Sequence, residues 1–334
     1  MAAPQRAPVS TGERAADFVA PRGDGRPARF YGHVGGAPSV LVFSGAGGES
    51  GADAVRDRLR THLPDDVALH LVATGEVTDP TTFSDQRHGV HGAYGLAADG
   101  DPVCVVLDPN VRVVSVHDRL DSEEALTAVA EATAAARHDD QPVMARPQAP
   151  VMFVPDALSP LLCADLMQLW AQDGNTETGV EASVGAGRGE TADRQRKRRR
   201  DHTVTDPEWL QTLSTHLGRR VMPEIRKAFA YQAKRFEGFK IGCYDAEDQG
   251  FFTAHRDNLS PATAHRVFAL TVNLNDGYGG GELAFPEYGP ERYRPAAGEA
   301  LVFSGSLLHE VLPVSEGRRF VLLSFLFGDE QRPR

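Results

Sequence analysis

Gly250-Phe251-Phe252-Thr253-Ala254-His255-Arg256-Asp257 is the stretch on which the reading of this chain turns. As a strand it places Phe251, Thr253, His255 and Asp257 on one face, because side chains alternate with a period of two. An imidazole and a carboxylate are then presented together. A third donor, His309, stands 52 residues after Asp257 in Ser306-Leu307-Leu308-His309-Glu310, just past the apolar run Ala300–Ser304. Two neutral imidazoles and one carboxylate form the facial set that binds Fe(II) and leaves coordination positions open. A 2-oxo acid can chelate through two of those positions, and dioxygen can take another.

Working outward, Arg319 lies ten residues past His309 and opens the apolar run Phe320–Leu326. A guanidinium there is costly to bury unless a carboxylate sits against it, and a cosubstrate with a distal carboxylate supplies that partner. Of the adjacent pair Arg318 and Arg319, one must point outward, and Arg319 is read as the inward one. Tyr244, on the strand leading into the His-x-Asp segment, can add a hydroxyl hydrogen bond to the same ligand. Asn273-Leu274-Asn275-Asp276-Gly277-Tyr278-Gly279-Gly280-Gly281-Glu282-Leu283 supplies a tight turn between core strands.

The ordered set His255-x-Asp257, His309 and Arg319, with Tyr244 upstream and Gly280-Gly281-Glu282-Leu283 between, resembles the prolyl-4-hydroxylase-type Fe(II)/2-oxoglutarate dioxygenases over about residues 151–329. The resemblance implies an α+β domain, a double-stranded β-helix (jelly-roll) with a helical buttress. It implies Fe(II) held by His255, Asp257 and His309, and 2-oxoglutarate held by Arg319 with help from Tyr244. It also implies a reaction that couples 2-oxoglutarate decarboxylation to hydroxylation of an unactivated C–H bond, with ascorbate as a candidate accessory reductant. A small-molecule or peptidyl substrate, a proline or a free amino acid included, fits equally well. Related oxygenases that halogenate lack the carboxylate ligand, and Asp257 is present here. Nucleic-acid demethylases carry Arg-x-Asn-x-Thr-x-Arg after the distal His, whereas this chain reads Arg-Phe-Val-Leu-Leu-Ser-Phe from Arg319.

The first half reads differently. An apolar run at Ser39–Phe43, the turn Ser44-Gly45-Ala46-Gly47-Gly48, a helical stretch Asp53–His62 and a strand at Val67–Thr74 make a strand, turn, helix, strand pattern. Val103–Leu107 and Val111–Val116, joined by Asp108-Pro109-Asn110, read as a hairpin, and Ser122-Glu123-Glu124 opens an alanine-rich helix to about Arg137. This order resembles the α/β thioredoxin-like fold of the peroxiredoxin group, but residues 44–54 contain no cysteine where that family carries its thiolate. A redox-inactive domain over residues 1–140 is expected, then a proline-rich linker over 141–150 and the dioxygenase domain over 151–334.

At 334 residues the chain has room for two cores. A 41% hydrophobic and 24% charged composition excludes collagen-like and largely disordered classes. No apolar run approaches a membrane span, and Met1–Ser10 shows no secretory signal, so no membrane partner and a cytoplasmic location are expected. The net charge of −11 argues against a nucleic-acid partner. Cys104, Cys163 and Cys243 are too scattered for a disulfide framework or a thiolate zinc site and are read as reduced core thiols. The basic run Arg194–Arg200 is read as a solvated face, with a place at the active-site mouth as the other reading. His88 and His91 are read as loop histidines. Gly45–Gly48 is a structural turn, since no phosphate-loop lysine follows. Two other classes stay open: a binding or regulatory protein with a sensing or structural iron site, and a peroxide reductase using Cys104.

Overall fold

In the computed structural model, which describes residues 6–138, 141–184, 187–191 and 193–331, the run Ser39–Phe43 forms strand β1, buried along its whole length. Asp139, Asp140 and Met1–Gln5 lie outside the described residues. The chain divides into two units, Met1–Val143 and Met144–Arg334. In the first unit β1 is followed by α1 (Gly48–Arg60), β2 (Ala68–Ala73), β3 (Phe83–Ser84), α2 (Gly89–Tyr94), β4 (Val103–Leu107), β5 (Val113–His117) and α3 (Glu123–Ala135). The sheet order is β3-β2-β1-β4-β5, with β1, β2 and β3 parallel and β4 and β5 antiparallel to their neighbours. Alternation along β1 divides its side chains between two cores. Val40 and Val42 pack with Ala52, Leu59, Leu126 and Val129 of α1 and α3, while Leu41 and Phe43 pack with Phe30, Phe83 and Tyr94.

Three local readings are sharpened by the structure. The hairpin turn extends through Val111, which takes a left-handed φ of 64°, so the second strand begins at Val113. Gly45 approaches the main chain closely: a Cβ there would lie 1.8 Å from the Gly100 carbonyl oxygen, which accounts for the glycine without a phosphate. His91 is not a loop histidine. It lies buried in α2, with Nδ1 2.7 Å from Asp85 Oδ2 and Nε2 2.9 Å from the Ser44 carbonyl oxygen.

The second unit opens with β6 (Met152–Val154) and α4 (Pro160–Gln172), where Ser159 caps the helix by accepting from the Leu162 amide. Next come β7 (Lys197–Arg198), β8 (Arg200–Val204), α5 (Pro207–Arg220) and α6 (Met222–Phe229). Pro223 interrupts what would be one helix, since it supplies no N–H to the preceding turn. The strands that build the two main sheets from there on are β9 (Phe239–Asp245), β10 (Phe251–His255), β11 (Phe268–Asn273), β12 (Leu283–Ala284), β13 (Arg292–Tyr293), β14 (Ala300–Ser304), β15 (His309–Val311) and β16 (Arg318–Phe327).

A larger antiparallel sheet runs β6-β14-β11-β16-β9-β8 and ends on Thr176–Glu177, and a smaller one runs β7-β10-β15-β12-β13. Side chains of the larger sheet alternate between two environments. Ile241, Leu270, Val272, Val302 and Leu322 pack against Leu166, Leu213, Leu217 and Ile225 of the helices. Tyr244, Ala269, Leu301, Phe303 and Val321 face Leu283, Tyr293 and Val311 of the smaller sheet. Two antiparallel sheets thus share one core, with helices buttressing the outer face, which is a jelly-roll. Among the described residues no helix is long and apolar enough to cross a membrane.

Candidate metal and cosubstrate site

β10 and β15 lie side by side in the smaller sheet, with His255 opposite His309 and Phe252 opposite Val311. Three steps along β10 therefore match two along β15, a β-bulge that breaks the simple alternation. In consequence Phe252, rather than Phe251 and Thr253, shares a side with His255: their rings stack at 3.6 Å with 19° between planes. Asp257 follows the strand, with its amide held by the Gly305 carbonyl at 2.9 Å. The three groups converge. Asp257 Oδ1 lies 3.6 Å from His255 Nε2, and Oδ2 lies 3.5 Å from His309 Nε2.

The donor chemistry suits a divalent metal. His255 Nδ1 meets the Thr253 carbonyl at 2.8 Å and His309 Nδ1 meets the Leu307 carbonyl at 3.0 Å. Carbonyls only accept, so each Nδ1 carries a proton and Nε2 is the ring nitrogen turned toward Asp257. Burial and the neighbouring His309 push His255 down to about 3, which keeps the imidazole neutral and able to ligate. Ligand atoms of all three residues lie within 4.8 Å of one another.

Arg319, the first inward residue of β16, is only 2% exposed. It donates from Nε and Nη2 to Asn273 Oδ1 at 3.2 and 3.1 Å and from Nη1 to the Gly281 carbonyl at 2.9 Å. Arg318 points the other way, to Asp245 at 2.6 Å. Gly281, whose carbonyl accepts there, takes φ +71°, and a Cβ on it would lie 2.8 Å from Val314 Cγ2 and 3.2 Å from Arg319 Cδ.

Tyr244 has two guanidiniums against its ring: Arg319 Cζ is 5.6 Å and Arg199 Cζ 5.5 Å from the centroid. Its hydroxyl accepts from Arg199 Nη1 at 3.1 Å, so its contact with Arg319 is through the ring.

The basic run is not a uniformly solvated face. Lys197 and Arg199 turn inward, and Arg199 forms a two-pronged bond to Asp201, Nε to Oδ1 at 2.6 Å and Nη2 to Oδ2 at 2.8 Å. Burial alone would raise the Asp201 carboxyl, but Arg199 more than offsets this and holds it down at about 2. Lys197 lies 3.5 Å from the same carboxylate. Arg199 and Lys197 both act electrostatically on His255. Sequence reasoning singled out the run but not the individual roles of Arg199 and Asp201. The available signal is the spacing Lys197-x-Arg199-x-Asp201, which puts two cations and one acid on the same side of an extended segment. Asn273 was also missed, and its signal is a polar residue closing the apolar strand Phe268–Val272.

Comparison with known proteins bears on the same segment. A PKHD-type hydroxylase of Pseudomonas putida is 34% identical over 105 residues, 28% of this chain and 46% of that protein. One of Bordetella pertussis is 34% identical over 120 residues, 32% of this chain and 49% of that protein. The chain thus spans about half the length of the curated relatives it matches. Among solved structures, a Pseudomonas putida prolyl-4-hydroxylase aligns at a TM-score of 0.39 and 17% identity, covering 54% of this chain and 92% of that one. Residues 239–327, which hold Tyr244, His255, Asp257, His309 and Arg319, match the family described as the 2OG-Fe(II) oxygenase superfamily.

Proposed function

We propose that the second unit is an Fe(II)- and 2-oxoglutarate-dependent dioxygenase that hydroxylates an unactivated C–H bond of a peptidyl or free amino acid or of a small metabolite. The observation that carries this reading is the convergence of His255, Asp257 and His309 within ligand reach in the same unit as a buried Arg319 bonded to neutral oxygens. Fe(II) bound there would activate dioxygen at the expense of 2-oxoglutarate, which leaves as succinate and carbon dioxide.

The chain's own residues prepare that chemistry. The two backbone carbonyls fix the imidazole tautomers, and Asp257 balances charge at the metal position. Arg319 offers its charge to the distal carboxylate of the cosubstrate. Tyr244, accepting from Arg199, keeps its own O–H proton for a second bond to that ligand. The aromatic walls Phe252, Phe285 and Phe303 stand against the histidines and limit water there.

We also propose that the first unit is a thioredoxin-like module without redox activity. Its parallel β1-α1-β2 followed by the antiparallel β4-β5 hairpin and α3 supports the fold. Cys104 lies on the interior strand β4, 0% exposed, with burial pushing its thiol far up, which argues against a peroxide-reducing thiolate.

The test is an anaerobic titration of the full chain with Fe(II) and 2-oxoglutarate, following the visible charge-transfer band of a chelated 2-oxo acid. The band is expected in the wild type and not in His309→Ala. Its absence from both would overturn the dioxygenase reading.

A further inference from the structure

Buried guanidiniums elsewhere in this unit are paired with carboxylates: Arg199 with Asp201, and Arg266 with Glu237 at 2.7 and 2.6 Å. Arg319 is as deeply buried, yet its side-chain partner is the amide of Asn273. That amide cannot turn over. Its Nδ2 donates at 2.6 Å to the Pro295 carbonyl, an acceptor only, and at 2.6 Å to Tyr278 Oη, so Oδ1 must face Arg319. Asn273 itself is 0% exposed at the end of β11. Among the described residues, three of the five Arg319 N–H groups meet acceptors, leaving one on each terminal nitrogen.

We propose that Asn273 is a positioning residue for the cosubstrate: it orients Arg319 through a neutral oxygen and so leaves the guanidinium charge for an incoming distal carboxylate. The proposal rests on the dioxygenase reading above. An acid in the place of Asn273 would have nearly the same shape and would satisfy the Arg319 charge from within the protein, while its second oxygen would give up the bond to the Pro295 carbonyl, which only accepts. The β11 terminus thereby selects for 2-oxo diacids over 2-oxo monoacids without touching the metal position.

The experiment compares wild type, Asn273→Asp, Asn273→Ala and Arg319→Ala as full chains loaded with Fe(II) under argon. Dissociation constants for 2-oxoglutarate and for pyruvate, which lacks the distal carboxylate, are read from the charge-transfer band, and folding is checked by circular dichroism. Asn273→Asp is expected to weaken 2-oxoglutarate by roughly 50-fold or more, as for a buried charge whose external partner is displaced, with pyruvate affinity unchanged. Asn273→Ala is expected to weaken 2-oxoglutarate by about tenfold through lost orientation. Preference for 2-oxoglutarate over pyruvate that stays at the wild-type level in both Asn273 variants overturns the proposal. So does an equal loss of both ligands. If Asn273→Asp does not fold, Asn273→Ala alone decides by the same ratio. Arg319→Ala separates the two levels: an unchanged ratio there removes the cosubstrate reading itself, whereas a lowered ratio with unaffected Asn273 variants removes only the positioning role.

Discussion

Asp201 shows how much one buried carboxylate can carry. It accepts both prongs of Arg199, and Arg199 in turn fixes the hydroxyl of Tyr244. Asp201→Asn leaves a guanidinium buried without its counter-charge, and a loss of about 3–5 kcal/mol is expected. Denaturant unfolding checks this as a lower midpoint with an unchanged slope, and a change below about 1 kcal/mol would contradict a structural dependence on the pair. The pH dependence follows from the direction of the shift. The carboxyl lies lower in the folded protein, at about 2, than its ordinary value of 3.8. The folded state therefore gains from ionised Asp201 above about pH 4, and that gain disappears as the pH falls toward 2. The wild type should lose stability through that window more steeply than Asp201→Asn.

At the scale of the element, a strand is only as readable as its register. The convergence of His255, Asp257 and His309 was legible because two imidazoles and a carboxylate in that order suit a metal ion better than a packed core, and the inward turn of Arg319 because only one of two adjacent strand arginines can face solvent. The side from which they are presented was not legible. The bulge between Phe252 and His255 exchanges the faces of β10, and no local turn signal announces it, since pairing with β15 creates it. Asn273 was hidden for a related reason: an asparagine at a strand end reads as a turn former until the packing shows it at 0% exposure. The β1-to-β2 pattern and the β4-β5 hairpin were readable from local periodicity, which long-range pairing only completes. The three glycines before Glu282 read as a tight turn, and Gly281 has the further task of presenting its carbonyl to Arg319. Gly281→Ala forces a side chain into a left-handed backbone and against Val314. A loss of about 1–3 kcal/mol is expected, together with weakened 2-oxoglutarate binding in the charge-transfer titration. Unaltered binding would show that the backbone displacement at Gly281 does not reach the cosubstrate site.

On the scale of the whole molecule, the buried clusters of residues 9–129 and those of residues 149–326 share no member. Between them Gln141–Gln148 is exposed throughout, Met144 to 94%. Mild proteolysis is expected to cut there first and release two folded fragments. The larger fragment should keep the Fe(II) and 2-oxoglutarate band of the intact chain, and loss of the band on cleavage would mean that the first unit completes the site.

The two carbonyls that hold the histidine protons belong to Thr253 and Leu307, each two positions before the ring it holds. Replacing either side chain leaves its peptide oxygen in place. The choice of ring nitrogen is thus written into the main chain and shielded from genetic drift.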